Sequence, residues 1–409
     1  MSCHVTCNEC IPLNNKPKNW WHHRSIKIIG FAFTLLTIST VCITLFWKFN
    51  NSQRETSTII RTIEKSRWSL TGSMRYARGG HNAILLHNKK VLVTGGANRN
   101  DGILKSAELY DALSKSWELT GTMVNSRIGH AVIMLNNKTV LAVSGDNDSG
   151  MTTSTELYDP FTETWTPTGD VHFGRNGHTA SLLADGKILI VGGFDESYNR
   201  LKSAEIYDPT TGVWTITGSM SNGRDYHQAC VLGSGKVLVI GGNGPPPNAT
   251  NTCELYDPLT GKWASTGSLN IARVFHTATL LLNGKVLVSG GWTIGGSQSC
   301  AELYDPLTEK WTMTRNMSSP RSSHRAVLLQ DGKVLVSGGF GNPSTGNSTE
   351  LYDPLEETWT FAGRMNYTRE YHTATLLEDG KVLVAGGSYQ TTHFLNSAEI
   401  YDPSKYFLY

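Results

Sequence analysis

One passage, written seven times between Trp68 and the C-terminus, constrains this chain more than any other feature. Its last copy runs from Arg369 to Pro403, REYHTATLLEDGKVLVAGGSYQTTHFLNSAEIYDP. An Arg with a His three residues on recurs as Arg78/His81, Arg127/His130, Arg175/His178, Arg224/His227, Arg273/His276, Arg321/His324 and Arg369/His372. A Gly-Gly pair follows each, altered only to Ser144-Gly145 in the second copy. An E-[LI]-Y-D sequence comes next (Glu108, Glu156, Glu205, Glu254, Glu302, Glu350, Glu399), then a Trp in six copies, from Trp117 to Trp359. These Trp residues stand 48 or 49 apart. A period near 50 with this content marks a propeller blade.

Each copy reads as four short strands. HTATLLEDGKVLVAGG holds two β-type runs around Asp379-Gly380, a dipeptide suited to a two-residue hairpin turn, and Asp185-Gly186, Asn283-Gly284 and Asp331-Gly332 repeat it. The second run, such as Val286 to Val288, is apolar without alternation and is expected to be buried on both faces. AEIYDP is a third strand stopped by Pro, and W-x-x-T-G-x-M, as in Trp214 to Met220, is a fourth. Four such strands cannot bury both faces alone, so each copy needs neighbours, and a closed ring supplies two. The fourth-strand wording appears first at Trp68 to Met74, WSLTGSM, ahead of any first strand, whereas the end of the chain lacks it. The expected fold is therefore all-β, a seven-bladed propeller whose last blade is completed by an N-terminal outer strand.

The pattern resembles the kelch repeat over Trp68 to Asp402, and R-x-x-H-T-A with D-G-K-V-L-V-x-G-G is most similar to the kelch propeller of galactose oxidase and related copper-radical oxidases. That resemblance implies a copper site in which a Tyr-His pair supplies two ligands, and Tyr371-His372 and Tyr226-His227 match the pair. It also implies a radical Tyr crosslinked to a Cys at the His position of another blade, but all seven such positions are His here. A further His ligand would come from a domain after the propeller, and the sequence ends at Tyr409. Two ligands from one blade do not make a redox copper site. Tyr371 and His372 are thus weak metal candidates, no cofactor is expected, and an oxidase is the disfavoured alternative.

The rest of the chain divides into a tail (1–27), an apolar segment (28–47), a polar stalk (48–67) and the propeller (68–409). Ile28 to Trp47 is twenty residues without a charge, enough to cross a bilayer as a helix, with Trp20, Trp21 and Trp47 at the interfaces. The alternative is a cleaved signal peptide, against which stand the length of the run and the lack of a small-x-small cleavage site. The tail carries Lys16, Lys18, Arg24 and Lys27 against Glu9, which favours a cytoplasmic N-terminus and a single-pass type II protein with the propeller extracellular or lumenal. Sequons at Asn50, Asn137, Asn147, Asn248, Asn316, Asn347 and Asn366 agree with that side and are glycosylation candidates.

From Lys48 onward 32 basic residues meet 33 acidic ones, so nothing electrostatic points to nucleic acid. Cys3, Cys7 and Cys10 lie with His4 in the tail, as isolated thiols, a metal site or lipid attachment points. Cys42 falls in the apolar segment. Cys253 and Cys300 precede third strands of adjacent blades, where either a bridge or two buried thiols would fit, and Cys230 is the odd one.

Strand parity puts the Arg-x-x-His segments and the loops after Gly-Gly on one face. Residues repeated in every blade answer a need of every blade, and an ion pair from the repeated Arg to the repeated Glu would account for both. Positions that differ are more informative: Tyr226, Phe275 and Tyr371 before the His, and Phe194, Trp292, Phe340 and Tyr389 after the glycines, would place aromatics around one opening. Aromatic faces suit sugar rings or a protein partner, and ordinary packing is the other reading. The expectation is a membrane-anchored interaction or adhesion module that binds a protein or glycan at the propeller mouth. Tyr226, Phe275, Trp292 and Tyr371, with Arg224, Arg273 and Arg369, are the binding candidates.

Overall fold

The computed structural model describes residues 67–405, except 246–248 and 391–392, together with Lys48. The expected tail, the apolar segment and nearly all of the stalk lie outside the described residues, as does the sequon asparagine Asn248. Among the described residues no helix is long and apolar enough to cross a membrane.

Seven four-stranded antiparallel sheets follow one another along the chain. Blade 1 is Asn82–Leu85, Val91–Thr94, Ala107–Asp111 and Ser116–Leu119, and the other six repeat its order. First strands of adjacent blades approach one another and so line the central axis. The second strands are buried along their whole length in every blade, as their unbroken apolar runs require. Seven apolar clusters occupy the seven seams, each drawing on two adjacent blades: Val91, Val93 and Tyr110 of blade 1, for example, pack with Leu383, Ala385 and Ile400 of blade 7.

Blade 7 consists of Thr373–Leu376, Val382–Ala385, Ala398–Tyr401 and, as its outer strand, Trp68–Leu70. Trp68 lies opposite Tyr401, as Trp117 lies opposite Tyr110 within blade 1, and both ring pairs sit about 5 Å apart. The borrowed strand is thus in the register of a native one. Trp68 and Met74 are almost fully buried, so the closure also fills two seams.

The repeated residues are explained by the seams they make. In six blades the Thr three residues after the Trp meets the Tyr hydroxyl of the next blade, as Thr71 meets Tyr110 at 2.7 Å. Ala362 replaces that Thr before blade 7, and there the Tyr401 hydroxyl accepts from Arg67 instead. The second Gly of each Gly-Gly donates its N–H to the carbonyl of the next blade's Arg, as Gly96 does to Arg127 at 2.8 Å. Both glycines have φ > 0, and a Cβ on Gly95 would stand 2.4 Å from that carbonyl and 2.9 Å from the His130 ring.

One expectation needs correction. The Asp-Gly turns are three-residue loops rather than two-residue ones. Leu377 N–H donates to the Lys381 carbonyl and Gly380 N–H to the Leu377 carbonyl, so Gly380, at φ +79°, is the left-handed residue after a tight turn. Of the two readings left open for Cys253 and Cys300, the structure shows buried free thiols, as it does for Cys230. The Cys300 sulfur instead takes the place of the Ser or Thr hydroxyl that other blades offer to the repeated Arg, and accepts from Arg273 at 3.2 Å.

Candidate functional site at the channel mouth

The repeated Arg is structural. Arg78 is fully buried, with Nη1 donating to the Gly95 and Ser106 carbonyls and Nη2 reaching Glu108 at 2.7 Å. The other six arginines make the same ion pair at 2.6–2.8 Å. The Glu oxygens also take backbone N–H groups: Arg75 donates to the Glu108 oxygen that Arg78 leaves free, and Tyr76 to the one Arg78 uses. A buried pair is tolerated when its remaining valences are filled this way. Arg224, Arg273 and Arg369 must therefore be removed from the ligand face: each is a buried clamp within its own blade, with no guanidinium free for a partner.

The repeated His staples one blade to the one before it. His130 Nε2 meets Thr94 Oγ1 at 2.9 Å, His227 meets Thr179, His324 meets Thr277, His372 meets Ser337 and His81 meets Thr373. His178 and His276 have neither ring nitrogen in a hydrogen bond of good geometry, because the preceding blades put Ala131 and Val143, or Gln228 and Ile240, where the hydroxyl would be. Burial, reinforced by the Arg nearby, lowers all seven imidazoles, with His130, His227 and His276 at about 3. They are neutral seam residues.

Between Arg and His every blade turns through the left-handed region, from φ +48° at Tyr226 to φ +68° at Gly177. The residues are Gly80, Gly129, Gly177, Tyr226, Phe275, Ser323 and Tyr371. Their backbones form a ladder around the axis: Gly129 N–H donates to Gly80, Gly177 to Gly129, Tyr226 to Gly177, Ser323 to Phe275, Tyr371 to Ser323 and Gly80 to Tyr371. The fold therefore constrains these positions, although they differ between copies. It asks for Gly, and four blades decline it.

The result is an asymmetric mouth over a cavity of about 300 Å³, with glycines on one arc and aromatics on the other. Tyr226 and Phe275 rings stand 4.6 Å apart, Phe194 backs Tyr226 at 5.9 Å, and Tyr371 is 38% exposed. Burial pushes the Tyr226 phenol up to about 12, so it is a neutral wall. Trp292 and Phe340 do not line the cavity. They pair at 5.8 Å in the loops after Gly-Gly, both exposed, and extend the apolar surface outward over blades 5 and 6. Phe194 is buried, whereas Tyr389 is exposed.

Copper does not fit. His372 turns its Nε2 into the seam toward Ser337 while Tyr371 stays at the mouth, and His227 turns likewise toward Thr179. Among the described residues no group of three or more His, Cys, Asp or Glu could hold a metal ion.

Sequence reasoning passed over one residue. The position after the His reads Asn82, Ala131, Thr179, Gln228, Thr277, Arg325 and Thr373, and Arg325 alone is charged. Its Nε donates to the His372 carbonyl at 2.7 Å and it lines the cavity. Column-by-column comparison of the copies would have found it.

A family model described as the Attractin/LZTR1 beta-propeller matches residues 47–254, half of the chain. One described as the KLHDC2/KLHL20/DRC7 Kelch-repeats domain matches residues 215–387. The chain belongs to the kelch-repeat β-propellers that these models describe. Among solved structures, a fungal alcohol oxidase of the AA5 family in complex with copper is similar in fold, with a TM-score of 0.67 and 18% identity over 82% of this chain and 76% of that one. A search of curated proteins by sequence found no match.

Proposed function

We propose that this propeller is an interaction module whose ligand face is the channel mouth, with a protein as the partner. Kelch propellers generally bind proteins, and the observation that carries the reading to one face is the left-handed ring. Tyr226, Phe275 and Tyr371 occupy backbone positions where a side chain costs about 1–2 kcal/mol, a cost that glycine's extra backbone entropy offsets only in part. Side chains kept at such a cost around a cavity are the residues expected to meet a ligand. Trp292 and Phe340 enlarge the surface to one on which a partner could seat aromatic anchors. A glycan in place of a protein is an outcome of the test below.

The uncharged run Ile28 to Trp47 and the basic tail before it support a single-pass anchor with the propeller extracellular or lumenal. Asn137 and Asn316 are exposed and suit glycan attachment, whereas the Asn347 and Asn366 amides donate to Met365 and Glu399. The oxidase reading has no support from the residues: the resemblance to a copper enzyme is one of fold, and the Tyr-His pair does not converge on a metal position.

The test is site-specific photocrosslinking in cells that express the protein. A photoreactive residue at position 371 should capture one partner, and one at position 307, in a turn between third and fourth strands on the opposite face, should not. Capture from 307 alone would reject the mouth as the ligand face. A deglycosylation-sensitive adduct at 371 would make the ligand a glycan.

A further inference from the structure

Arg325 differs from every other arginine of the repeat. Each of the seven clamps has a Glu that offsets its burial, whereas burial lowers Arg325 with no carboxylate acting against it. Only its Nε is used, on the His372 carbonyl. Its terminal nitrogens have no partner among the described residues, make no ion pair and open to the cavity. Arg325 is partly buried, and its fork faces the cavity rather than any protein acceptor, so a ligand in the cavity could take hydrogen bonds that no protein group makes. Blade 6, which carries it, is the one blade on the aromatic arc with a small mouth residue: Ser323 stands between Phe275 and Tyr371 in the ring, with Arg325 two residues further along the chain.

The surroundings fix the charge of what could fill that fork. The neighbouring imidazoles of His81, His324 and His372 are neutral, held so by burial and in part by Arg325 itself. One positive charge therefore stands alone in a cavity walled by Tyr226, Phe275 and Tyr371. A dianion would leave an uncompensated negative charge there. A planar monoanion matches the fork with two parallel hydrogen bonds.

We propose that the channel is a carboxylate site: Arg325 takes the two oxygens of a monocarboxylate, whose flat or apolar body lies against Tyr226, Phe275 and Tyr371. A cavity of about 300 Å³ is at the small end of ligand pockets, which fits a small acid or a single acidic side chain. The same chemistry has two sources, a free small acid or a carboxylate borne by a protein loop, and the site needs no protein partner to exist.

The experiment titrates the full-length chain by calorimetry with benzoate and glucuronate, against their neutral counterparts benzamide and glucose. A second arm compares the blocked peptides Gly-Glu-Gly and Gly-Gln-Gly. Binding of at least one carboxylate at about 1 mM or tighter, with none for its neutral counterpart, is expected. Arg325→Gln should weaken it at least tenfold, and Arg325→Lys should restore part of it. Binding confined to the free acids assigns the site to a small molecule, and binding confined to Gly-Glu-Gly assigns it to a protein carboxylate. Should Arg325→Gln fail to fold, phenylglyoxal labelling of the unaltered chain keeps the test: the acid that binds should protect Arg325 and leave Arg99 reactive. No carboxylate bound, equal affinity in Arg325→Gln, or an unprotected Arg325 would overturn the proposal. Loss of partner binding in mouth variants with the acid still bound at Arg325 would separate this site from the protein-binding reading.

Discussion

Replacing Ser323 by Gly should stabilise the propeller, which is an unusual expectation for a residue at a binding face. Ser323 sits at φ +52° in a ladder whose other members include three glycines at φ +65° to +68°. A side chain in the left-handed region costs about 1–2 kcal/mol. Gly removes that cost but has about 0.5–1 kcal/mol more backbone freedom to lose on folding. The net gain is about 0.5–1 kcal/mol, and Ser323 buries little apolar surface whose loss would offset it. For a domain of about 340 residues the unfolding entropy is about 0.7 kcal/mol per kelvin, so the melting temperature should rise by about 1 °C. Calorimetry resolves that, and denaturant midpoints check it. Tyr371 provides the internal control. Tyr371→Ala and Tyr371→Gly lose the same ring and differ only in the backbone contribution, so the Gly variant should be the more stable by about 1 kcal/mol. A Ser323→Gly protein less stable than the parent by 1 °C, or a Tyr371→Ala protein as stable as Tyr371→Gly, would refute the claim that the ring stores strain.

Other expectations follow from the seams. Val143→Thr places a hydroxyl at the blade 2 position equivalent to Thr94 of blade 1, which meets His130; it would face the unpartnered His178 and should be more stable by about 1 kcal/mol than Val191→Thr, whose facing His227 is already held by Thr179. Glu302→Gln leaves Arg273 buried without its counter-ion and should lower stability by about 3 kcal/mol or more in denaturant melts. Because the seven histidines have folded pKa values below the unfolded value of about 6.5, the unfolded chain binds more protons in acid. Their contribution is complete above pH 6.5 and is lost as pH falls toward 3, so the melting temperature should drop steadily from pH 7 to 5, and a flat profile would contradict neutral seam imidazoles. Deleting residues through Met74 removes the outer strand of blade 7 and two seam residues, and should abolish the cooperative melt of the full-length chain.

The periodicity made the blades, the closure at Trp68 and the pairing of Arg with Glu legible, because those features repeat and each copy tests the others. What the repeat hides is conformation. Gly80, Gly129 and Gly177 stand in the column of Tyr226, Phe275 and Tyr371, and that alignment contains the positive φ. Read as variation, the column suggested freedom, whereas the backbone shows a constraint that the aromatics resist. The arginines misled in the other direction: three lay near a mouth in sequence, yet the 2.7–2.8 Å contacts to Glu254, Glu302 and Glu399 turn them inward. Trp292 shares a face with the mouth but not its wall, since the loop after Gly291 carries it outward to Phe340. Arg325 escaped notice because its position is not part of the repeated wording. Its meaning depends on the absence of a Glu opposite, which only three-dimensional neighbours reveal.

The central claim is that partners meet the aromatic arc of the mouth, and affinity measured on paired variants tests it most directly. With the captured partner purified, titrations should compare Phe275→Ala and Tyr371→Ala with Leu307→Ser and Leu355→Ser, two nearly fully exposed turn residues of the opposite face. The account predicts a loss of about 2 kcal/mol or more for at least one mouth variant and no change for either turn variant. Unchanged affinity in both mouth variants, with a loss in Leu307→Ser or Leu355→Ser, would contradict it.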